Sequence, residues 1–210
     1  MSFKVTQITF PGFCANCYLV ADENTNESFL VDPGAYGERQ KEYIKSQGIE
    51  KLRYILLTHG HYDHIMGVRQ FKEEFDAQVV IHKNDEGCLS SPLKSLAITQ
   101  GFNFPKTSAE ILVDDGDKLS FADSEIQVIH TPGHTKGCVC YKLGDMLFTG
   151  DTLFKGTVGR TDFPGGSYNE IIKSVAKLSA LEGDYKVYPG HESETTLENE
   201  RRNNPYMRGI

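Results

Sequence analysis

Three imidazoles and a carboxylate fall within the seven residues Thr58-His59-Gly60-His61-Tyr62-Asp63-His64, directly after the apolar run Tyr54-Ile55-Leu56-Leu57. A chain that leaves a strand through a turn delivers its end-of-strand side chains to one small volume. Neutral imidazole nitrogen and carboxylate oxygen are the donors a divalent ion needs. The fold must therefore bring a strand end to a metal-binding turn. Three further segments repeat the arrangement: His134 in Thr131-Pro132-Gly133-His134, Asp151 in Phe148-Thr149-Gly150-Asp151, and His191 in Tyr188-Pro189-Gly190-His191. Each follows an apolar segment, at or just past a turn-forming glycine. Any one alone reads as an ordinary polar loop residue. Together, His59, His61, His64, His134 and His191 with the two aspartates suit two ions. His82 and His130 lie inside apolar strand patterns and read as packing residues or as outer partners of the ligands.

Apolar segments at Val5 to Phe10, Tyr18 to Ala21 and Phe29 to Val31 predict an opening β-meander. A helix over Tyr36 to Gln47, stopped by Gly48, leads into the strand Arg53 to Leu57 that ends at the histidine cluster. A short helix over Val68 to Phe75, a strand at Gln78 to Ile81 and a helical turn at Lys83 to Cys88 follow. Residues Leu89 to Ser108 have no clean period, and their Ser, Pro, Gly and Phe content predicts a loop near the mouth of the site. The second half repeats the pattern, with strands near Lys118 to Phe121, Ile126 to Ile129, Cys138 to Lys142 and Met146 to Phe148. Tyr168, Ile171, Ile172, Val175, Leu178 and Leu181 recur at helical spacing, which predicts a helix laid on a sheet face. Val187-Tyr188 reads as the last strand and Thr195 to Asn203 as a closing helix. Alternation of this kind supports a mixed α/β or α+β domain spanning residues 1–210.

A length of 210 residues, 39% hydrophobic and 24% charged, is enough for one domain with a real core. The net charge of −7 and the lack of a basic run argue against a nucleic-acid partner. Residues 1–7 lack the pattern of a signal peptide and no stretch approaches a membrane span, so a cytoplasmic enzyme without a membrane partner is expected. Cys14 and Cys17 form a CxxC and Cys138 and Cys140 a CxC. Both pairs adjoin strand-like sequence, and buried reduced thiols fit them better than a closed four-ligand zinc site. An odd total of five cysteines also disfavours a complete disulfide framework.

The order HxHxDH, later His, later Asp, last His resembles the metallo-β-lactamase superfamily. The resemblance implies an αββα sandwich with His59, His61 and His134 on one metal ion, Asp63, His64 and His191 on a second, and Asp151 bridging. It extends to Val31-Asp32-Pro33-Gly34 and to Gly159-Arg160-Thr161-Asp162-Phe163, a segment similar to hydroxyacylglutathione hydrolases (type II glyoxalases) and to persulfide dioxygenases. The first branch implies two divalent ions, zinc foremost with iron or manganese as alternatives, and hydrolysis of S-lactoylglutathione-like thioesters through a bridging hydroxide. The second implies a single iron and oxidation of a persulfide. Lactonases and other ester hydrolases share the superfamily.

Thioester cleavage suits such a centre because a thiol, with a pKa of about 8.5, leaves without a strong general acid. Asp63 and Asp151 are the expected catalytic carboxylates, and Asp32, Thr58 and Thr149 are candidate partners that orient the ligands. In hydroxyacylglutathione hydrolases a Lys near the position of Arg160 contacts glutathione. Arg160 is thus a candidate substrate-binding residue, although pairing with Asp162 offers it a structural role that is slightly favoured. The glutathione thioesterases also carry an added helical carboxy-terminal domain, which this sequence does not include after His191.

Overall fold

A computed structural model describes residues 2–10, 12 and 15–208. The opening strands are β1 (Phe3–Ile8), β2 (Cys17–Asp22) and β3 (Ser28–Val31), followed by α1 (Glu38–Ser46), β4 (Tyr54–Leu56), the single turn α2 (Tyr62–Ile65), α3 (Val68–Phe75), β5 (Gln78–His82) and β6 (Ile111–Val113). The second half holds β7 (Lys118–Phe121), β8 (Ser124–His130), β9 (Val139–Leu143), β10 (Met146–Gly150), a short ribbon of β11 (Leu153–Phe154) and β12 (Thr157–Val158), α4 (Tyr168–Ser179), β13 (Lys186–Pro189), β14 (Thr195–Thr196) and α5 (Leu197–Asn203).

Two six-stranded sheets result, in the orders β1-β2-β3-β4-β5-β6 and β14-β13-β10-β9-β8-β7. The first is antiparallel through β3 and parallel from β3 to β6. Parallel pairing requires crossovers, and α1 and α3 supply those into β4 and β5. In β2 to β5 nearly every residue is buried, because the alternation runs between two cores rather than between core and water. Leu19, Leu30, Ile55, Val79 and Ile81 meet Ile44, Ile65, Val68, Phe71 and Phe75 of the helices. Tyr18, Val20, Phe29, Val31, Leu56 and Val80 point the other way, onto Phe121, Ile126, Val128, Tyr141 and Phe148 of the second sheet. A sheet covered on both faces has to read as a near-continuous apolar run.

The far face of the second sheet, with Ile129, Cys140, Leu147 and Val187, is covered by Val175 and Leu178 of α4 and Leu197 of α5. The layers are therefore α, β, β, α, the architecture the resemblance implies. Between the sheets Phe29 lies edge-on to Phe121 at 4.8 Å and to Phe148 at 6.1 Å, a contact whose truncation to Ala costs about 3–5 kcal/mol. The α4 start follows from Ser167, whose hydroxyl accepts from the Glu170 amide, the hydroxyl half of a capping box.

Several boundaries differ from expectation. The turn expected at Lys83 to Cys88 is a 3-10 turn at Glu86–Ser90. Thr195 and Thr196 pair with β13 before α5 begins, so the closing helix is shorter than its apolar and polar spacing suggests. The two-residue strands β11 and β12, the three-residue β6 and the one-turn α2 are too short to carry a period. Leu89 to Ser108 is largely irregular, with a 3-10 turn at Ala97–Gln100. No helix among the described residues is long and apolar enough to cross a membrane.

Candidate metal centre

Four chain segments converge at one end of the sheets. The loop after β4 carries His59 and His61, and α2 carries Asp63 and His64; the β8–β9 connection carries His134, and Asp151 and His191 follow β10 and β13. Strands β10 and β13 are parallel neighbours, so their C-terminal ends must emerge side by side. The two sheets are tied at the same end by the Val139 amide donating to the Thr58 carbonyl at 2.8 Å and by the Tyr141 hydroxyl donating to the Leu57 carbonyl at 2.9 Å. Gly190 is required by proximity: a Cβ there would lie 2.3 Å from Asp151 Oδ1 and 2.9 Å from His64 Cε1.

Donor atoms of three residue sets lie within 4.8 Å of one another: His59, His61 and His134; Asp63, His64 and His191; and His59, His64 and Asp151. His61 Nδ1 and His134 Nε2 are 2.8 Å apart, and His64 Nε2 and His191 Nε2 are 3.3 Å apart. Asp151 reaches both groups. Its Oδ2 lies 3.4 Å from His134 Nε2 and 3.6 Å from His191 Nε2, and its Oδ1 lies 3.5 Å from His64 Nε2. Asp63 Oδ2 is 3.4 Å from His191 Nε2.

The rings are oriented from behind. Asp32 Oδ2 lies 3.0 Å from His64 Nδ1, Thr58 Oγ1 lies 3.1 Å from His59 Nδ1, and His134 Nδ1 is 2.7 Å from the Arg160 carbonyl oxygen. A carbonyl only accepts, so the Nδ1 of His134 carries the proton and its Nε2 presents a lone pair to the centre. Asp32 also accepts from the Thr58 amide at 2.8 Å and hydroxyl at 2.6 Å. Thr149 does not act this way: its hydroxyl donates to the Leu153 carbonyl at 2.8 Å. It closes the turn after β10, and this strand-end hydrogen bond stands where a contact to an imidazole or to the bridging carboxylate was expected. The Arg160 carbonyl was missed because a backbone group carries no residue-type signal.

Burial and its imidazole neighbours push the pKa of His59 well below its ordinary value, and burial with His134 and His64 beside it lowers His61 to about 3. Both rings are thereby held neutral, the form that binds a metal. Burial opposes charge on His64, but Asp63, Asp151 and Asp32 outweigh it and raise the pKa to about 10. The Asp63 carboxyl sits below the usual carboxylate range because His64 and His191 outweigh its burial. The carboxylates thus demand positive charge in their midst. His59 Nε2 and Asp151 Oδ1 are buried without a hydrogen-bond partner, and a buried orphan of this kind is costly unless a ligand satisfies it. The donor set and its two orphans fit divalent cations.

A cavity of about 440 Å³ opens over this cluster, and Tyr62, Leu96, Phe154, Arg160 and Phe163 are among its walls. Thr99 and Gln100 also line it, which puts the 89–108 segment at the mouth as expected. The Arg160 guanidinium donates to both oxygens of Asp162, at 2.7 and 2.6 Å, and stacks 3.9 Å from the centre of the Phe163 ring. His82 and His130 stack on each other, 4.2 Å apart and nearly parallel, in a packing role apart from the candidate ligands. Cys17, Cys138 and Cys140 are buried free thiols; Cys14 lies outside the described residues, so the CxxC pairing is not described.

An αββα sandwich with a His/Asp cluster at the strand ends defines a metal-binding hydrolase scaffold. The metallo-beta-lactamase superfamily profile matches residues 12–191, and this chain belongs to that superfamily. It is 33% identical over 214 residues to the hydroxyacylglutathione hydrolase GloC of Haemophilus influenzae, across 99% of this chain and 98% of that one. Among solved structures it is similar to the BLEG-1 B3 metallo-beta-lactamase, with a TM-score of 0.90, 30% identity and coverage of 99% and 100%. It is also similar to TTHA1623 in a di-iron-bound form, with a TM-score of 0.84, 33% identity and coverage of 96% and 100%.

Proposed function

We propose that this chain is a binuclear metallo-hydrolase that cleaves small thioesters, S-lactoylglutathione-like compounds among them. The observation that carries this reading is the pair of triads, His59-His61-His134 and Asp63-His64-His191, with Asp151 within reach of both. Two triads favour two ions, and so hydrolysis, over the single iron of a persulfide dioxygenase. The likeness to GloC supports a thioester, and the di-iron form of TTHA1623 makes iron an alternative to zinc; manganese is compatible with the same donors.

Bound at these residues, divalent ions would supply Lewis acidity and lower the pKa of water from 15.7 to about 7. Asp63 and Asp151 face the cavity and would orient the attacking water. Asp32, Thr58 and the Arg160 carbonyl hold the imidazoles in register, which keeps the donor atoms preorganised. Phe154 and Phe163 stand edge-on to His191 and His61 at 6.0 and 5.8 Å and limit water near the reacting carbonyl. A thiolate leaves unaided, so none of these residues need act as a strong acid. Arg160 is committed to Asp162 and Phe163, so its side chain shapes the wall and is not the main anchor for the substrate.

The test is metal content per chain in protein made without chelator from medium holding zinc, iron and manganese. It is followed by assays of thiol release from S-lactoylglutathione, lactone and β-lactam opening, and oxygen uptake with a persulfide. Two ions and thiol release are expected; one iron with oxygen uptake overturns the reading.

A further inference from the structure

The two triads are anchored by different parts of the fold. Asp32 stands behind His64, and the Asn16 carboxamide donates to the Pro189 and Glu192 carbonyls that flank His191, at 3.0 and 2.9 Å. Asp32 reaches the other triad indirectly, through Thr58, whose hydroxyl donates to Asp32 and lies 3.1 Å from His59 Nδ1. The loops of that triad meet at Asp85, a residue only 4% exposed at the start of the 3-10 turn after β5. One oxygen of Asp85, Oδ2, accepts the Gly60 amide at 2.9 Å and the Thr135 hydroxyl at 2.7 Å. Gly60 sits between His59 and His61, and Thr135 follows His134. The contact is close on both sides: a Cβ on Gly60 would lie 2.5 Å from that of Cys88, and one on Gly137 would lie 2.5 Å from Asp85 Oδ1.

We propose that Asp85 is the positioning residue for one of the two ion sites, joining the loop of His59 and His61 to the loop of His134, whereas Asn16 and the direct contact of Asp32 with His64 hold the Asp63-His64-His191 site. The physical reason is that a buried carboxylate accepting from both loops fixes their separation, and so the spacing of the three imidazole nitrogens that would hold an ion. This inference rests on the binuclear reading of the centre.

Metal-free wild type, Asp85→Ala, Asp85→Asn and Thr135→Val proteins are titrated with zinc against a competing chelator, and bound ions are counted by elemental analysis. Wild type takes two ions. Asp85→Ala keeps one at near wild-type affinity and weakens the other by about 10- to 100-fold, the range for partners that orient ligands. Asp85→Asn recovers most of the loss, since a carboxamide oxygen can still accept both hydrogen bonds. Adding His61→Ala to Asp85→Ala leaves the retained ion in place, whereas adding His191→Ala removes it. Equal weakening of both sites, unchanged affinity at both, or no rescue by Asn overturns the assignment. If the Ala variant does not fold, Thr135→Val, which cuts one of the two hydrogen bonds, must show the same one-site loss. A wild type that binds one ion overturns the binuclear reading itself, a result distinct from two ions that Asp85 does not influence.

Discussion

His61 Nδ1 and His134 Nε2 lie 2.8 Å apart across 73 residues of sequence, each ring turning a nitrogen toward the same point. A cation bound here would accept a lone pair from both rings, and His59 completes the set. Removal of metal should therefore be felt by the whole fold. Chelator-stripped protein is expected to melt at lower temperature, and zinc restored to 100 times its dissociation constant should return about 2.7 kcal/mol. Calorimetry with and without zinc measures this; equal melting curves would contradict a site built into the fold.

Asp151 lies within reach of both triads. Asp151→Ala should lose at least one ion and depress hydrolysis by more than about 100-fold, beyond what an outer partner costs. Elemental analysis beside the thioester assay decides it, and near-normal metal content would remove Asp151 from the bridging position.

Asp32 accepts three hydrogen bonds, from Thr58 twice and from His64. Its backbone is left-handed, with φ +49°, a conformation Asn tolerates and Ala does not. Asp32→Asn should weaken metal binding by about 10- to 100-fold with a modest loss of stability. Asp32→Ala should also lower the unfolding free energy by about 3 kcal/mol or more, since buried donors are stranded. Denaturant titration of both variants separates the two effects.

Gly190→Ala places a methyl against Asp151 and His64. We expect an overpacking cost of about 1–3 kcal/mol, together with loss of metal, while the far-ultraviolet dichroism stays that of the wild type. Full metal retention would mean that the strand end can shift without disturbing the ligands.

Arg160→Ala should leave KM for a thioester nearly unchanged and slightly lower the thermal midpoint. The bond that matters to His134 comes from the backbone carbonyl, which the variant keeps. A large rise in KM would instead make the guanidinium a substrate contact.

The seven candidate ligands were legible in the sequence as a set, because the HxHxDH cluster follows one apolar run and His134, Asp151 and His191 each follow another at a turn, an order that resembles the superfamily. The α4 stripe and α3 were legible for a similar reason: one covered helix face gives a clean period, and Val68–Phe75 begins and ends where that period does. Strands β6, β11 and β12 and the turn α2 were not, since two to four residues cannot display a repeat. The role of Thr149 was misjudged for a different reason. A threonine at a strand end looks the same whether its hydroxyl meets an imidazole or a nearby carbonyl.

Residue identity alone determined which donors this chain can offer a metal and that they leave the ends of buried strands, because side-chain chemistry and hydrophobic period are local. The grouping of donors into triads and the Asp151 position came from the family resemblance; only the tertiary structure decided the distances between them, that Asp85 ties two loops together and that the Arg160 carbonyl meets His134. Those are distances between segments far apart in sequence, set by parallel strand pairing and by the packing of one sheet on the other, and no local pattern encodes them.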